Sequence, residues 1–214
     1  MSYRVIAWDF DGTLVDSLDG ALEIYNDLAR EYGFVVIEDP APVRAMTIPA
    51  FLKAHRIPLR KVPALYARFL RAQTSRLPAV RLHESVQPLL EEMLRRGCRL
   101  VVISSNTARN IRICLRANGV EDLFEEIIGY SRLRGKESAI RRLIRSQHIK
   151  PAELLYVGDE VRDITAARKA GVDMASVAWG FNSEETLQEH EPDYLARTPQ
   201  DFYPLLERWQ LELD

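Results

Sequence analysis

Cysteine is scarce here. Cys98 and Cys114 are the only two among 214 residues, and they stand far apart with no His or Cys at metal-ligand spacing. This argues against a disulfide framework and against a zinc site, and both residues read as small buried hydrophobes. Long apolar runs are missing too. No stretch approaches the roughly 20 residues that a membrane-spanning helix needs, and the N-terminus passes straight into an apolar strand without a signal-peptide pattern. A cytoplasmic protein with no membrane partner is the expectation. Internal repeats and low-complexity tracts are absent, and a hydrophobic content of 47% is ordinary for a globular chain. The four histidines (His55, His83, His148, His190) lack ligand spacing and read as surface or packing residues.

Acidic residues are lacking in one segment. Residues 34–82 hold nine Lys or Arg against Glu38 and Asp39, a balance of +7 that leaves −9 on the rest of a chain of net charge −2. Either the segment is a separate unit facing something anionic, or its helices carry solvated basic faces. The small net charge argues neither way on nucleic acid, and none is expected as a partner. The same segment is punctuated by Pro40, Pro42, Pro49, Pro58, Pro63 and Pro78. Between them lie short amphipathic pieces such as 62–73, in which Leu65, Phe69 and Ala72 share a face, so a small helical unit fits better than more sheet. Before it, residues 17–32 carry apolar residues at helical spacing, closed by Gly33.

The remainder alternates. Apolar runs at 3–8, 99–103, 126–129, 154–157 and 174–178 read as strands, and 85–96, 108–117, 136–146 and 161–170 as helices between them. The pattern predicts a doubly wound, parallel α/β sheet. Segments 184–189 and 199–209 read as helices packing back on the core.

The chemistry-bearing residues gather at the ends of these strands, where open α/β sheets bind ligands. Asp9 and Asp11 follow the first strand. Two residues apart on a regular strand, they share a site only if the chain leaves extended geometry at once, which Gly12 permits. Such carboxylates can supply a nucleophile, an acid/base and ligands for a hard cation, whereas Asp16 and Ser17 read as helix caps. Ser104-Ser105-Asn106 follow the second strand, where a hydroxyl and unpaired N–H groups can receive a phosphate oxygen; taken alone, they are also ordinary caps. Lys136 opens a helix, a position unfavourable to a cation. Asp159 and Asp163, four apart at a helix start, can converge on a cation, although acids are favoured there in any case.

Taken together these residues carry a resemblance. Asp9-Phe10-Asp11-Gly12-Thr13-Leu14-Val15 resembles the first motif of the haloacid dehalogenase-like superfamily, most closely its phosphatase branch. Ser104 after Val101-Val102-Ile103 resembles the second motif, Lys136 the third, and Gly158-Asp159-Glu160-Val161-Arg162-Asp163 the fourth. The stretches 177–182 and 192–195 are similar to the tail of phosphoglycolate phosphatase-like members, and the insertion stands where those carry a helical cap. Two places depart from them: Met46-Thr47-Ile48-Pro49 fills an expected glycine-bearing cap loop, and His83-Glu84-Ser85 replaces a Pro-Gly turn.

The resemblance implies a Rossmann-like core of residues 1–16 and 83–214 with a helical cap of residues 17–82. If the four motifs share one site, the strand order is 5-4-1-2-3. It further implies a Mg²⁺-dependent phosphatase acting on a small phosphorylated metabolite. Asp9 would be the nucleophile and Asp11 the acid/base, with Thr13, Ser104 and Lys136 holding the transferring group. Gly12, Ser105 and Asn106 would assist phosphate binding; Asp9, the Asp11 carbonyl, Asp159 and Asp163 would serve the metal. A phosphomutase, or a binding protein that reads an anionic partner through the basic cap, are the alternatives. For the leaving group, the basic segment suggests a second negative charge, met by Arg44, with phosphoglycolate the simplest candidate. Monomer and homodimer both stay open.

Overall fold

The first strand becomes the middle of the sheet because nothing in it tolerates water: Val5, Ile6, Ala7 and Trp8 are all fully buried. The computed structural model describes residues 3–130 and 135–208. In chain order these form β1 (Val5–Trp8), α1 (Leu18–Tyr32), α2 (Ala41–Arg44), α3 (Ile48–Ala54), α4 (Val62–Thr74), α5 (Val86–Arg95), β2 (Arg99–Ser104) and α6 (Ala108–Ala117). Then follow β3 (Glu126–Gly129), α7 (Gly135–Ser146), β4 (Leu154–Gly158), α8 (Val161–Ala170), β5 (Asp173–Val177), α9 (Glu184–Glu189), β6 (Tyr194–Ala196) and α10 (Phe202–Arg208).

The sheet is parallel throughout, in the order β3-β2-β1-β4-β5-β6. The expected order of the first five strands holds, and a sixth is added at the edge. That sixth strand, residues 194–196, is not among those the sequence pattern predicts. The segment is only three residues long and offers too short a run for alternation to show. Likewise 199–209 resolves into a 3₁₀ turn at Pro199–Asp201 and then α10, while Trp209 lies outside the described residues.

Strand alternation sorts the core into two layers. Ile6, Trp8, Leu100, Val102, Leu155 and Val157 pack on one face with α5 and α6, Phe10 and Phe202. Val5, Ala7, Val101, Ile103, Leu154 and Tyr156 pack on the other with α7 and α8. Register then sets the site. Trp8 lies opposite Val102 on one side and Val157 on the other. The residues that follow (Asp9, the 103–106 stretch and Gly158-Asp159) therefore emerge together at one sheet edge.

Between residues 18 and 80 there is helix but no strand. Helix α1 ends on Gly33 in the left-handed conformation. Ser17 stands at its N-cap but makes no side-chain capping bond, so the expected capping role is not realised. Of the nine basic residues in 34–82, Lys53, Arg56, Arg60, Arg68, Arg71 and Arg81 are exposed. Arg68 pairs with Glu31, and Arg76 with Glu23 at 2.5 Å, both acids of α1.

Candidate active site

After Asp9 the backbone turns at once: the N–H groups of Leu14 and Val15 donate to the Phe10 carbonyl at 3.0 and 3.2 Å, and that of Gly12 to Val15 O at 3.0 Å. Gly12 has φ +77°, and a Cβ there would lie 2.4 Å from both Asp159 Oδ2 and the Phe181 ring, so glycine is required for conformation and for space. Its N–H is thus spent on the turn. The Gly12 carbonyl receives His83 Nε2 at 3.1 Å, which gives that histidine a packing role as expected.

Asp9, Asp159 and Asp163 converge: one oxygen from each lies within 4.8 Å of the others, and all three side chains are buried. Asp159 does not sit in the first turn of α8 as its spacing suggested. It lies on the loop before it, and reaches Asp163 because β4 delivers it beside Asp9. Lys136, also buried, donates to Asp9 Oδ2 at 2.5 Å and to Asp163 Oδ1. Burial alone would lower its pKa, but the carboxylates of Asp163 and Asp9 hold it well above the usual lysine value. That pairing explains a cation at a helix start, the feature the sequence left anomalous. Phe10 N–H donates to Asp9 Oδ1 at 2.8 Å, Thr13 Oγ1 to Asp159 Oδ1 at 2.5 Å, Phe181 N–H to Asp159 Oδ2 at 2.7 Å, and Glu160 N–H to Asp163 Oδ2 at 3.1 Å.

Three carboxylates against one ammonium leave two negative charges uncompensated in a buried volume, a costly arrangement without a counter-ion. Accordingly, burial and then Glu160, Asp163 and Asp9 raise the Asp159 pKa well above the carboxylate range. Burial, resisted by Lys136, raises Asp163 to about 6. An all-oxygen donor set with this charge fits a hard divalent cation.

Asp11 faces elsewhere. Its Oδ1 receives Gln73 Nε2 at 2.6 Å and its Oδ2 receives Asn106 Nδ2 at 3.1 Å, while the same Asn106 amide donates to Gln73 Oε1 at 2.9 Å, closing a ring. Burial pushes Asp11 up to about 6, against the lowering effect of the Asn106 bond. Asn106, a phosphate-binding candidate from the sequence, thus holds Asp11 through its side-chain amide. Thr107, not the Ser104–Asn106 stretch, caps α6 by accepting Asn110 N–H at 3.1 Å. Ser104 is buried at the β2 end with its Oγ accepting Asn106 N–H at 3.2 Å. Ser105 accepts Tyr66 Oη–H of α4 on its carbonyl at 3.0 Å and on its hydroxyl at 2.9 Å.

Arg44 reaches the site but through its backbone partners: Nη2 donates to Ala178 O at 3.2 Å and Gly180 O at 3.0 Å. Asn182 Nδ2 in turn donates to Arg44 O at 2.9 Å and Met46 O at 3.2 Å, and its Oδ1 receives Val161 N–H at 3.0 Å. Gly180 packs so closely that a Cβ there would fall 2.3 Å from Asp159 Cβ. Gln73, Tyr66 and Asn182 were missed by sequence reasoning. Gln73 and Tyr66 sit on an amphipathic helix with no motif around them, and Asn182, inside the tail stretch, carried no assigned role.

A mostly carbon-lined cavity of about 290 Å³ opens beside this set, with Asp11, Ser105, Arg44, Glu160 and Arg162 at its polar end, Phe181 and Asn182 beside them, and α1 to α4 forming most of the rest.

The family model for haloacid dehalogenase-like hydrolases matches residues 6–177. The chain belongs to that family. Over 200 residues it is 34% identical to the phosphoglycolate phosphatase of Synechococcus elongatus, covering 92% of this chain and 94% of that one. It is 24% identical over 202 residues to the pyrophosphatase PpaX of Bacillus velezensis, at 92% and 93% coverage. A crystal structure of a predicted phosphatase from Clostridium acetobutylicum superposes with a TM-score of 0.83 at 20% identity, over 97% of this chain and all (100%) of that one. Within the family, this chain is a phosphatase.

Proposed function

We propose that the protein is a Mg²⁺-dependent phosphatase that hydrolyses a small phosphorylated metabolite through an aspartyl-phosphate on Asp9. The observation that carries this reading is the buried meeting of Asp9, Asp159, Asp163 and Lys136 at the sheet edge, with a separately held carboxyl, Asp11, one turn away. Asp9, Asp159 and Asp163 would hold Mg²⁺, joined by the Asp11 carbonyl. When bound, the ion offsets the charge of the phosphoryl group and of Asp9.

A carboxylate oxygen of Asp9 attacks phosphorus as the bond to the leaving oxygen breaks, and Asp11 gives that oxygen its proton. Asp11 then takes a proton from water, the water oxygen attacks phosphorus, and the bond to Asp9 breaks to release inorganic phosphate. A carboxyl with a pKa near 6 suits both halves. Lys136 and Ser104 steady the phosphoryl oxygens; Thr13 holds Asp159. Acid quenching during turnover, followed by borohydride reduction and peptide mass spectrometry, should find the reduced aspartyl-phosphate at position 9 and nowhere else. Homoserine formed at another aspartate, or a phosphate found on a different residue, overturns the assignment.

Residues 17–82 act as a cap over a core of 1–16 and 83–214, in support of which the cavity lies between the two. Phosphoglycolate is the substrate its relatives' names suggest first. Free, buried Cys98 and Cys114 are in keeping with cytoplasmic action. Gln73 would tie cap position to the aim of Asp11. Gln73→Leu should therefore cost about tenfold in kcat for alkyl phosphates, which need the proton. It should cost much less for release of p-nitrophenolate. An equal loss for both means general cap damage.

A further inference from the structure

The basic charge of residues 34–82 does not face the active site. Of its nine Lys and Arg only Arg44 lines the cavity, and two Arg44 donor bonds already go to Ala178 and Gly180 carbonyls. The other cation on the wall, Arg162, is paired with Glu160, which lines the cavity as well. Glu160 offsets Arg162, which leaves the Arg44 guanidinium, bonded only to backbone carbonyls, as the one uncompensated cation among the described residues at the polar end.

Gln73, Ser105 and Asn182 add polar groups, and most of the rest of the wall is carbon. Leu22 and Tyr25 of α1, Val43 and Phe51 from α2 and α3, and Phe69 and Leu70 of α4 face the space. The Tyr25 hydroxyl is turned away, donating to Val35 O at 2.6 Å, so the ring is what it presents. Tyr25 and Phe51 meet edge to face at 5.2 Å, a rigid aromatic corner. At about 290 Å³ the cavity far exceeds what a two-carbon acid needs, given that one water takes roughly 30 Å³. Its position gives it a task. Asp11 lines it, as does Glu160, while Asp9, Asp159 and Asp163 do not, so it lies beside the cluster on the side where Asp11 gives the leaving oxygen its proton.

We propose that this cavity holds the leaving group, and that the preferred substrate is a phosphate monoester whose alcohol carries an apolar body of aromatic size rather than a second anionic group. The proposal rests on the phosphatase reading above. Transfer of such a body from water into a carbon-lined space favours it over a short alkyl chain. A carboxylate set among these carbons would lose its hydration away from Arg44, whose guanidinium stands at the polar end.

The test compares 2-phenylethyl phosphate, ethyl phosphate and phosphoglycolate with Mg²⁺, the first two having leaving alcohols of similar basicity. We expect kcat/KM for the phenylethyl ester to exceed both others by about tenfold or more. Ala21→Phe, which fills the cavity from α1, should bring the phenylethyl-to-ethyl ratio down toward one. Equal efficiencies of the two alkyl esters in wild type, or a preference for phosphoglycolate, overturn the proposal and leave the phosphatase reading standing. Thermal protection by 2-phenylethylphosphonate and ethylphosphonate supplies a readout free of turnover. If no ester is hydrolysed, the phosphatase reading falls, and the phosphonates decide: stronger protection by the aromatic one supports the cavity's role, equal protection overturns it.

Discussion

Asp9→Asn is expected to lower kcat by about 10³-fold or more toward every phosphate ester, activated or not, because the amide is isosteric but cannot act as the attacking carboxylate. The companion change separates the two acids. Asp11→Asn should still release close to one equivalent of p-nitrophenolate per enzyme in a rapid burst, since that leaving group needs no proton. Steady turnover should then fall by about 10² to 10⁴, the usual range for a lost general base. The geometry behind the contrast is that Asp9 is engaged by Lys136 and Phe10 N–H, whereas Asp11 is held apart from them by Gln73 and Asn106. Asp9→Asn protein made free of wild-type enzyme and still turning over p-nitrophenyl phosphate at the normal rate would sink the assignment.

Removing one carboxylate from the buried cluster should separate stability from activity. Asp159 is fully buried and repelled by Glu160, Asp163 and Asp9, so Asp159→Asn in chelator should be no less stable than wild type. Each kcal/mol of relieved repulsion raises Tm by roughly 2–4 °C in a chain of this size. Added Mg²⁺ should raise the wild-type Tm, because a ligand of the folded state stabilises it by mass action, and should leave the variant unmoved. Activity of the variant should drop by roughly 10²-fold or more. Excess Ca²⁺ should protect wild type against heat yet inhibit it, since its looser coordination misplaces Asp9. Full activity after exhaustive chelation would end the metal-dependent mechanism.

Much of this site could be read without coordinates because its parts are local. An apolar run followed by Asp9, or by Ser104, or by Asp159, marks a strand and the residue at its end in the same few letters. The requirement that three such ends share one site orders β1, β2 and β4. Glycine at 12 likewise announces the turn that brings Asp11 round. These are properties of neighbouring residues, and neighbouring residues are what a sequence records.

What the chain does with its helices was decided only in three dimensions. Helical periodicity tells that Leu65 and Phe69 share a face but not what that face meets, so the pairing of Gln73 with Asp11, 62 residues earlier, left no local sign. The count of charges in residues 34–82 was correct, yet its direction was not in the count: Arg68 and Arg76 turn to Glu31 and Glu23 of α1, and the inner wall is left mostly to carbon. Asn106 was legible as a polar residue at a strand end, but Thr107 takes the cap, and the Asn106 Nδ2 donates to Asp11. Side-chain composition is written along the chain, whereas the choice of partner for each side chain depends on distances between segments far apart in sequence, which only the packed structure sets.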